Sequence, residues 1–319
     1  MPRFVIWIIS IGVSVIGAGA VSAQDFPSKP IRIITTGIGS VADTASRLIA
    51  PGLASDLGQQ VIVDNRAAGV MPGAAVSKAQ PDGYTLLLYG NPHWLAPFML
   101  ENVPYDPVKD FAPITLAIKT PTILVVHPSV PVKSVNDLIA LAKAKPGLLN
   151  YGSAAIGSSS YLAAELFKTM AGVNIVFISY KATAAVMTDL IGGQLHMAFA
   201  TAGSAMPHVK SGRLRAVAVT SAQPTALAPG LPAIAASGLP GYEVVSSQAV
   251  FAPAGTPASI INRLNSEIVR VLNGADIKEK FFNLGVETVG DSPQECAAAI
   301  KAEMAKMGKL IKKTGIHGQ

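Results

Sequence analysis

Two short stretches carry residues suited to holding a small anion. The first is Thr36-Gly37-Ile38-Gly39-Ser40-Val41, which leads into Asp43. The second is Asn150–Tyr161, with Ser153, Ala154, Ala155, Gly157, Ser158, Ser159 and Ser160, which runs into Leu162–Met170. Glycine and serine let a guest approach the backbone closely, and the hydroxyls are rotatable donors. In the second stretch Leu162, Leu166 and Phe167 recur at helical spacing, so the serines stand at a helix start. There about four backbone N–H groups have no internal partner and the aligned peptide dipoles favour negative charge. Ordinary capping by one serine is the competing account of either stretch taken alone. Asp43 is expected to act as a structural cap that orders the first loop rather than as a ligand contact.

The first loop also fits a dinucleotide fingerprint, Gly37-x-Gly39-x-x-Ala42, with Asp64 near the end of the next strand. An NAD-dependent oxidoreductase is therefore an alternative. A second anion-ready loop, which such an enzyme does not need, counts against it, as does an apparent export signal. No other enzyme signature is found: there is no G-x-S-x-G elbow, no H-E-x-x-H, no P-loop, and one cysteine cannot build a thiolate metal site. We expect no catalytic residues, no metal and no cofactor. Asp106 and Asp110 lie in a turn between prolines, and Trp94 either lines a cleft or packs beneath it.

The elements needed to position two such loops are legible. Ile31–Thr35, Val61–Val63 and Tyr84–Tyr89 are short β-branched or apolar runs, with helical patterns at Asp43–Leu57 and Met71–Ala79 between them. This alternation predicts an α/β fold with mainly parallel sheets flanked by helices. It continues through Ile123–Val126, Ser134–Ala144, Asn174–Ile178, Ala182–Leu190, Met197–Phe199, Ala205–Ser211 and Leu214–Val219. Two long helices, Ala258–Leu272 and Pro293–Lys312, close the chain, separated by Phe282–Val289. Ile114–Pro128 leaves the first unit and Tyr242–Pro253 is placed to return to it. The expected organisation is domain I at residues 24–122 plus 247–319 and domain II at 123–246, with two crossing strands as a hinge. Open α/β sheets bind ligands at the carboxyl ends of their strands, so the two loops would face each other across the cleft.

Met1–Ala23 has a positive start at Arg3, an uncharged apolar run and a Val21-Ser22-Ala23 cleavage site, which predicts a secretory signal peptide cut after Ala23. Removing these 23 residues from 319 leaves 296 and lowers the formal charge from +6 to +5, since Arg3 is the leader's one charged residue. The mature chain is expected to be soluble and periplasmic. The remaining charge is too dispersed for nucleic acid and mildly favours anionic small molecules. With Cys296 alone no intrachain disulfide can form, so the core must stabilise the fold, and the 50% hydrophobic composition allows it.

Several segments together resemble the tripartite tricarboxylate transporter substrate-binding proteins, the Bug or TctC-like family. They include Gly58-Gln59, Val63-Asp64-Asn65-Arg66, Pro81-Asp82-Gly83-Tyr84, Pro104-Tyr105-Asp106-Pro107, Asn150-Tyr151-Gly152-Ser153, Tyr180-Lys181, Asp189–Gln194, Leu214–Ser221 and Ala252–Pro257. The resemblance covers nearly the whole mature chain. It implies a two-domain Venus-flytrap binding protein, monomeric, that holds a di-, tri- or aromatic carboxylate and delivers it to membrane transporter subunits. A sensor handing the liganded form to a signalling partner is the alternative with the same fold. The implied ligand contacts are Thr36–Val41, Asn91, Ser153, Ala154, Ala155, Gly157, Ser158, Ser159, Tyr180, His196 and Thr201. His196 is equally a structural histidine at a strand start. The sequence departs from the family pattern at Gly39-Ser40-Val41, Ala155, Tyr161, Ala182, His196 and Ala200. The last two stand where acidic residues are frequent, so an organic acid without an amine is the expected guest.

Overall fold

The computed structural model describes residues 26–67, 69–153 and 157–315. In chain order the elements are β1 (Ile31–Thr35), α1 (Val41–Leu57), β2 (Val61–Asn65), α2 (Met71–Val76), β3 (Thr85–Gly90), α3 (Asn91–Met99), β4 (Phe111–Val126), α4 (Val135–Ala144), β5 (Asn150–Ser153) and α5 (Ser159–Ala171). They continue with β6 (Val176–Ser179), α6 (Thr183–Ile191), β7 (Met197–Thr201), α7 (Ala202–Lys210), β8 (Arg215–Val219), β9 (Val245–Pro253), α8 (Ala258–Asn273), α9 (Ala275–Asn283), β10 (Glu287–Thr288) and α10 (Pro293–Thr314).

The architecture is the two-lobed α/β fold expected from the alternation. The sheet runs β2-β1-β3-β9-β4-β7-β5-β6, with β8 and β10 also paired to β4. β1 is parallel to β2 and β3, and β5 is parallel to β6 and β7, whereas β9 is antiparallel to β3 and β4. Helices cover both faces, so the strands bury side chains on both sides: Ile33 faces one apolar cluster and Ile34 another. Burying each such side chain fully stabilises the fold by roughly 1.5–3 kcal/mol.

β4 is the element both halves share. Its first part, through Pro121, pairs with β9, and from Thr122 onward it pairs with β7 on one side, and with β8 from Ile123 on the other. The sequence pattern predicts a strand over Ile123–Val126 within a crossing segment at Ile114–Pro128, and the structure carries one strand from Phe111 to Val126, through Pro113 and Pro121. The structure accommodates these prolines where the ladder is irregular or changes partner: the register shifts between Pro113 and Thr115, and Pro121 immediately precedes the exchange of partners. The second crossing lies alongside. Val244 N–H donates to Thr220 O at 3.0 Å, and the buried Thr220 hydroxyl accepts from Thr122 N–H at 2.9 Å.

Two helices were not expected from the pattern. α3 carries Pro92 in its first turn, where the missing N–H costs nothing, and Pro97 further in. α9 occupies part of the span between the two long C-terminal helices. α10 begins with a capping box between Ser292 and Glu295 and packs on both α3 and α5. One apolar cluster, including Trp94, Leu162 and Met307, therefore continues from one half of the sheet to the other.

Candidate functional site

The first glycine loop joins the carboxyl end of β1 to α1, and its internal bonds explain its shape. Ser40 is the N-cap: its Oγ accepts from Asp43 N–H at 3.0 Å and from the Thr36 hydroxyl at 2.7 Å. Asp43 reaches back, accepting from Gly39 N–H at 2.9 Å, while Arg47 Nε sits 2.9 Å from its other oxygen. Asn65, at the end of β2, donates to Asp43 Oδ1 at 2.8 Å and to Thr36 O at 2.7 Å. Burial raises the Asp43 pKa, but the bonds from Asn65, Gly39 and Arg47 outweigh it and hold the carboxyl below its ordinary value. Ser40 thus caps the helix, while Asp43, its charge paired with Arg47, ties Gly39 from within the first turn. The loop tip faces outward: Gly39 has φ +82°, nothing lies within 4 Å of a Cβ placed on Gly37 or Gly39, and Ile38 is 82% exposed. The N–H groups of Val41 and Ala42 precede the first intrahelical bond, from Thr44 N–H to Ser40 O. They meet no acceptor among the described residues.

The second loop repeats this construction at the carboxyl end of β5. Ser158 is the N-cap of α5, accepting from Tyr161 N–H at 3.3 Å, and its Oγ lies 3.0 Å from that of Ser153. Gly157 has φ +82°, matching Gly39. The N–H groups of Ser159 and Ser160 again precede the first helical bond, which runs from Leu162 N–H to Ser158 O at 2.8 Å. Ala154 and Ala155 lie outside the described residues. A Cβ on Gly157 would stand 3.1 Å from Met99 Sδ, so this loop meets α3 of the other half.

The remaining candidates divide. Tyr180 N–H donates to Ser153 O at 3.0 Å, which places it beside the second loop, and its hydroxyl donates to Asp189 at 2.7 Å. Burial, and then this carboxylate, push its pKa up to about 12. Thr201 ends β7, paired with Thr122 of β4, with its Oγ 3.0 Å from Ser204 Oγ. Asn91 follows β3, but its side chain is engaged. It accepts from Ser247 N–H at 2.6 Å and donates to Val245 O at 3.3 Å and to Glu303.

His196 is not brought to this group. It precedes β7, where its N–H donates to Asn150 Oδ1 at 2.8 Å and its Nδ1 lies 2.7 Å from the same oxygen. Asn150 opens β5, so the pair occupies the amino ends of parallel strands whose carboxyl ends carry Ser153 and Thr201. Burial, then the neighbouring His127, lower the imidazole pKa. Ala200 is buried in an apolar cluster with Ile123 and Val125. Neither position lines the space around the two loops. Asp64, the candidate ribose acid, is held by Arg66 at 2.8 Å and Arg32 at 3.6 Å. Trp94 is fully buried and donates to Glu303 at 3.1 Å, so it packs beneath the cleft.

Sequence reasoning missed four contributors. Asn65 and Arg47 set the first loop, and Glu303 and Met99 stand beside the second. Arg47 sits four residues after Asp43 on α1, a spacing that signals a helical ion pair. The other three are joined only by tertiary packing. Among the described residues no group of acidic, histidine or cysteine side chains could hold a metal, and no helix is long and apolar enough to cross a membrane.

Comparison with known proteins bears on the family and the fold. The family model described as "Tripartite tricarboxylate transporter family receptor" matches residues 45–316. The chain is 33% identical to Protein BugT of Bordetella pertussis (strain Tohama I) over 97% of its own length and 96% of that protein. Among solved structures, "R. palustris Rpa4515 with adipate" is 35% identical with a TM-score of 0.72, covering 92% of this chain and 99% of that one. The periplasmic binding protein BugD is 28% identical with a TM-score of 0.69, covering 92% and 100%. Members of this family are periplasmic solute-binding proteins rather than enzymes. On the match over most of its length, the chain belongs to the tripartite tricarboxylate transporter receptor family, of the TctC/Bug type.

Proposed function

We propose that the protein captures a small organic carboxylate between its lobes in the periplasm, after removal of Met1–Ala23, and delivers it to a tripartite tricarboxylate-type membrane transporter. The observation that carries this reading is the pair of matched helix starts. Val41 and Ala42 on α1, and Ser159 and Ser160 on α5, offer N–H groups that meet no acceptor among the described residues, at the carboxyl ends of strands. Each helix end contributes about 0.3–1 kcal/mol to an exposed anion and up to ~2 kcal/mol to a partly buried one. Adipate in the related Rpa4515 structure is a ligand of this chemistry. The division into residues 24–122 plus 247–319 and 123–246 is supported by the exchange of β4 partners at Thr122. Thr36–Val41, Ser153, Ala154, Ala155, Gly157, Ser158, Ser159, Tyr180 and Thr201 form the proposed contact set. A guest without an amine fits because Asp43, the first loop's one carboxylate, is already paired with Arg47.

A thermal-shift series of carboxylic acids, amino acids and NADH tests the reading. A true ligand at about 100 times its Kd stabilises the fold by about 2.7 kcal/mol. Stabilisation by a di-, tri- or aromatic carboxylate is expected. Stabilisation by NADH alone, or by no carboxylate in the series, overturns the proposal.

A further inference from the structure

A cavity of about 210 Å³ lies between α3 and α5, against the crossing segment at Val244–Ser246 and the side of α10. Ser158 and Ser159 stand on its wall, so it adjoins the second loop, and Leu95, Met99, Leu162, Val244 and Met307 supply apolar wall. Leu95, Leu162, Val244 and Met307 are themselves buried in the shared apolar cluster, so these walls are built into the core rather than laid over it. An engineered apolar cavity of about 150 Å³ stays dry and admits benzene, so this space is large enough for a six-carbon chain or ring.

Glu303 closes the cavity on the α10 side, and its chemistry restricts what can enter. One carboxyl oxygen accepts from Asn91 Nδ2 and the other from Trp94 Nε1 at 3.1 Å. Neither oxygen offers a donor to an incoming anion, and Asn91 has no amide proton directed away from Val245 O and Glu303. A second carboxylate pushed against Glu303 would be desolvated beside another acid, which is strongly unfavourable. A hydrocarbon group would meet apolar surface.

We infer that this cavity receives the hydrocarbon body of the guest. The solute would then be a carboxylate with an apolar chain or ring, its charged end at the α5 start. This rests on the receptor reading above and adds the substrate class. Any second carboxylate of the guest stays outside the cavity. Met99 and Ser246, both half-buried on the wall, set the depth.

Calorimetric titration of the mature protein with acetate, butyrate, hexanoate, benzoate, succinate and malate tests this. Each methylene that enters the cavity should tighten binding about fourfold, so hexanoate should bind roughly fifteenfold tighter than butyrate. Ser246→Leu should weaken hexanoate and benzoate at least tenfold while changing acetate less than twofold. Met99→Ala should move the optimum to a longer chain, and it remains informative if the leucine variant fails to fold. Equal affinity for butyrate and hexanoate, or chain-length preferences indifferent to both substitutions, overturns the cavity assignment and leaves the receptor reading standing. Absence of binding by every carboxylate overturns both, which separates the two failures.

Discussion

Asn65 donates to the Asp43 carboxylate at 2.8 Å and to the Thr36 carbonyl at 2.7 Å, so the end of β2 fastens both sides of the first glycine loop. The same side chain accepts from Arg47 at 2.9 Å. Asn65→Ala leaves a buried carboxylate short of a donor, and should cost about 1–3 kcal/mol in urea unfolding. Carboxylate affinity, measured by titration, should fall in the same variant because Val41 and Ala42 lose their fixed direction. Unchanged affinity would show that the first loop does not meet the guest.

The two glycines of that loop should respond differently. Gly39 adopts φ +82°, so Gly39→Ala is strained regardless of space and should destabilise by about 1–2 kcal/mol. Gly37 is not in the left-handed region and a Cβ there meets nothing within 4 Å. Gly37→Ala should therefore leave the unfolding midpoint unchanged, and any loss of carboxylate affinity in it reports on direct approach of the guest.

His93 should make stability fall with acid. It is fully buried among Tyr105, Phe111 and Phe251, neither ring nitrogen has a hydrogen-bond partner among the described residues, and burial pushes its pKa down to about 3. The unfolded chain takes up this proton near pH 6.5, so between those values it binds one proton more than the native state. The contribution is complete above pH 6.5 and is lost at about 1.4 kcal/mol per pH unit as pH falls toward 3. Comparing urea unfolding at pH 7 and pH 4.5, the wild type should lose about 2–3 kcal/mol more than His93→Phe.

Glu303 should show the opposite trend. Burial raises its pKa, against the lowering effect of Asn91 and Trp94. The native state therefore holds the proton more tightly than the unfolded chain. Its contribution is full below the unfolded carboxyl pKa and is lost as pH rises through the native value. Glu303→Gln removes this dependence but turns an amide NH₂ toward one of the two donors, so it should still lose about 1–3 kcal/mol near neutral pH. Stability profiles of the two proteins from pH 4 to 8 check both statements.

Much of this protein follows from local pattern. The alternation of β-branched runs with helical spacing specifies the α/β class, because side-chain periodicity reports which face is buried. The serines and Asp43 mark two helix starts, because capping is decided within four residues. Packing across the chain decided the rest. The crossing at Ile114–Pro128 is legible locally, but the places of Pro113 and Pro121 in one continuous β4 make sense only once β9, β7 and β8 are seen beside it. His196 stands just before the strand that ends at Thr201, yet its separation from the loops becomes evident only through the pairing of β7 with β5 and the bond to Asn150. The apolar cavity joins α3, α5 and α10, which are separated by up to some two hundred residues in sequence. Periodicity shows that a side chain is buried; only the tertiary structure decides which distant side chain it is buried against.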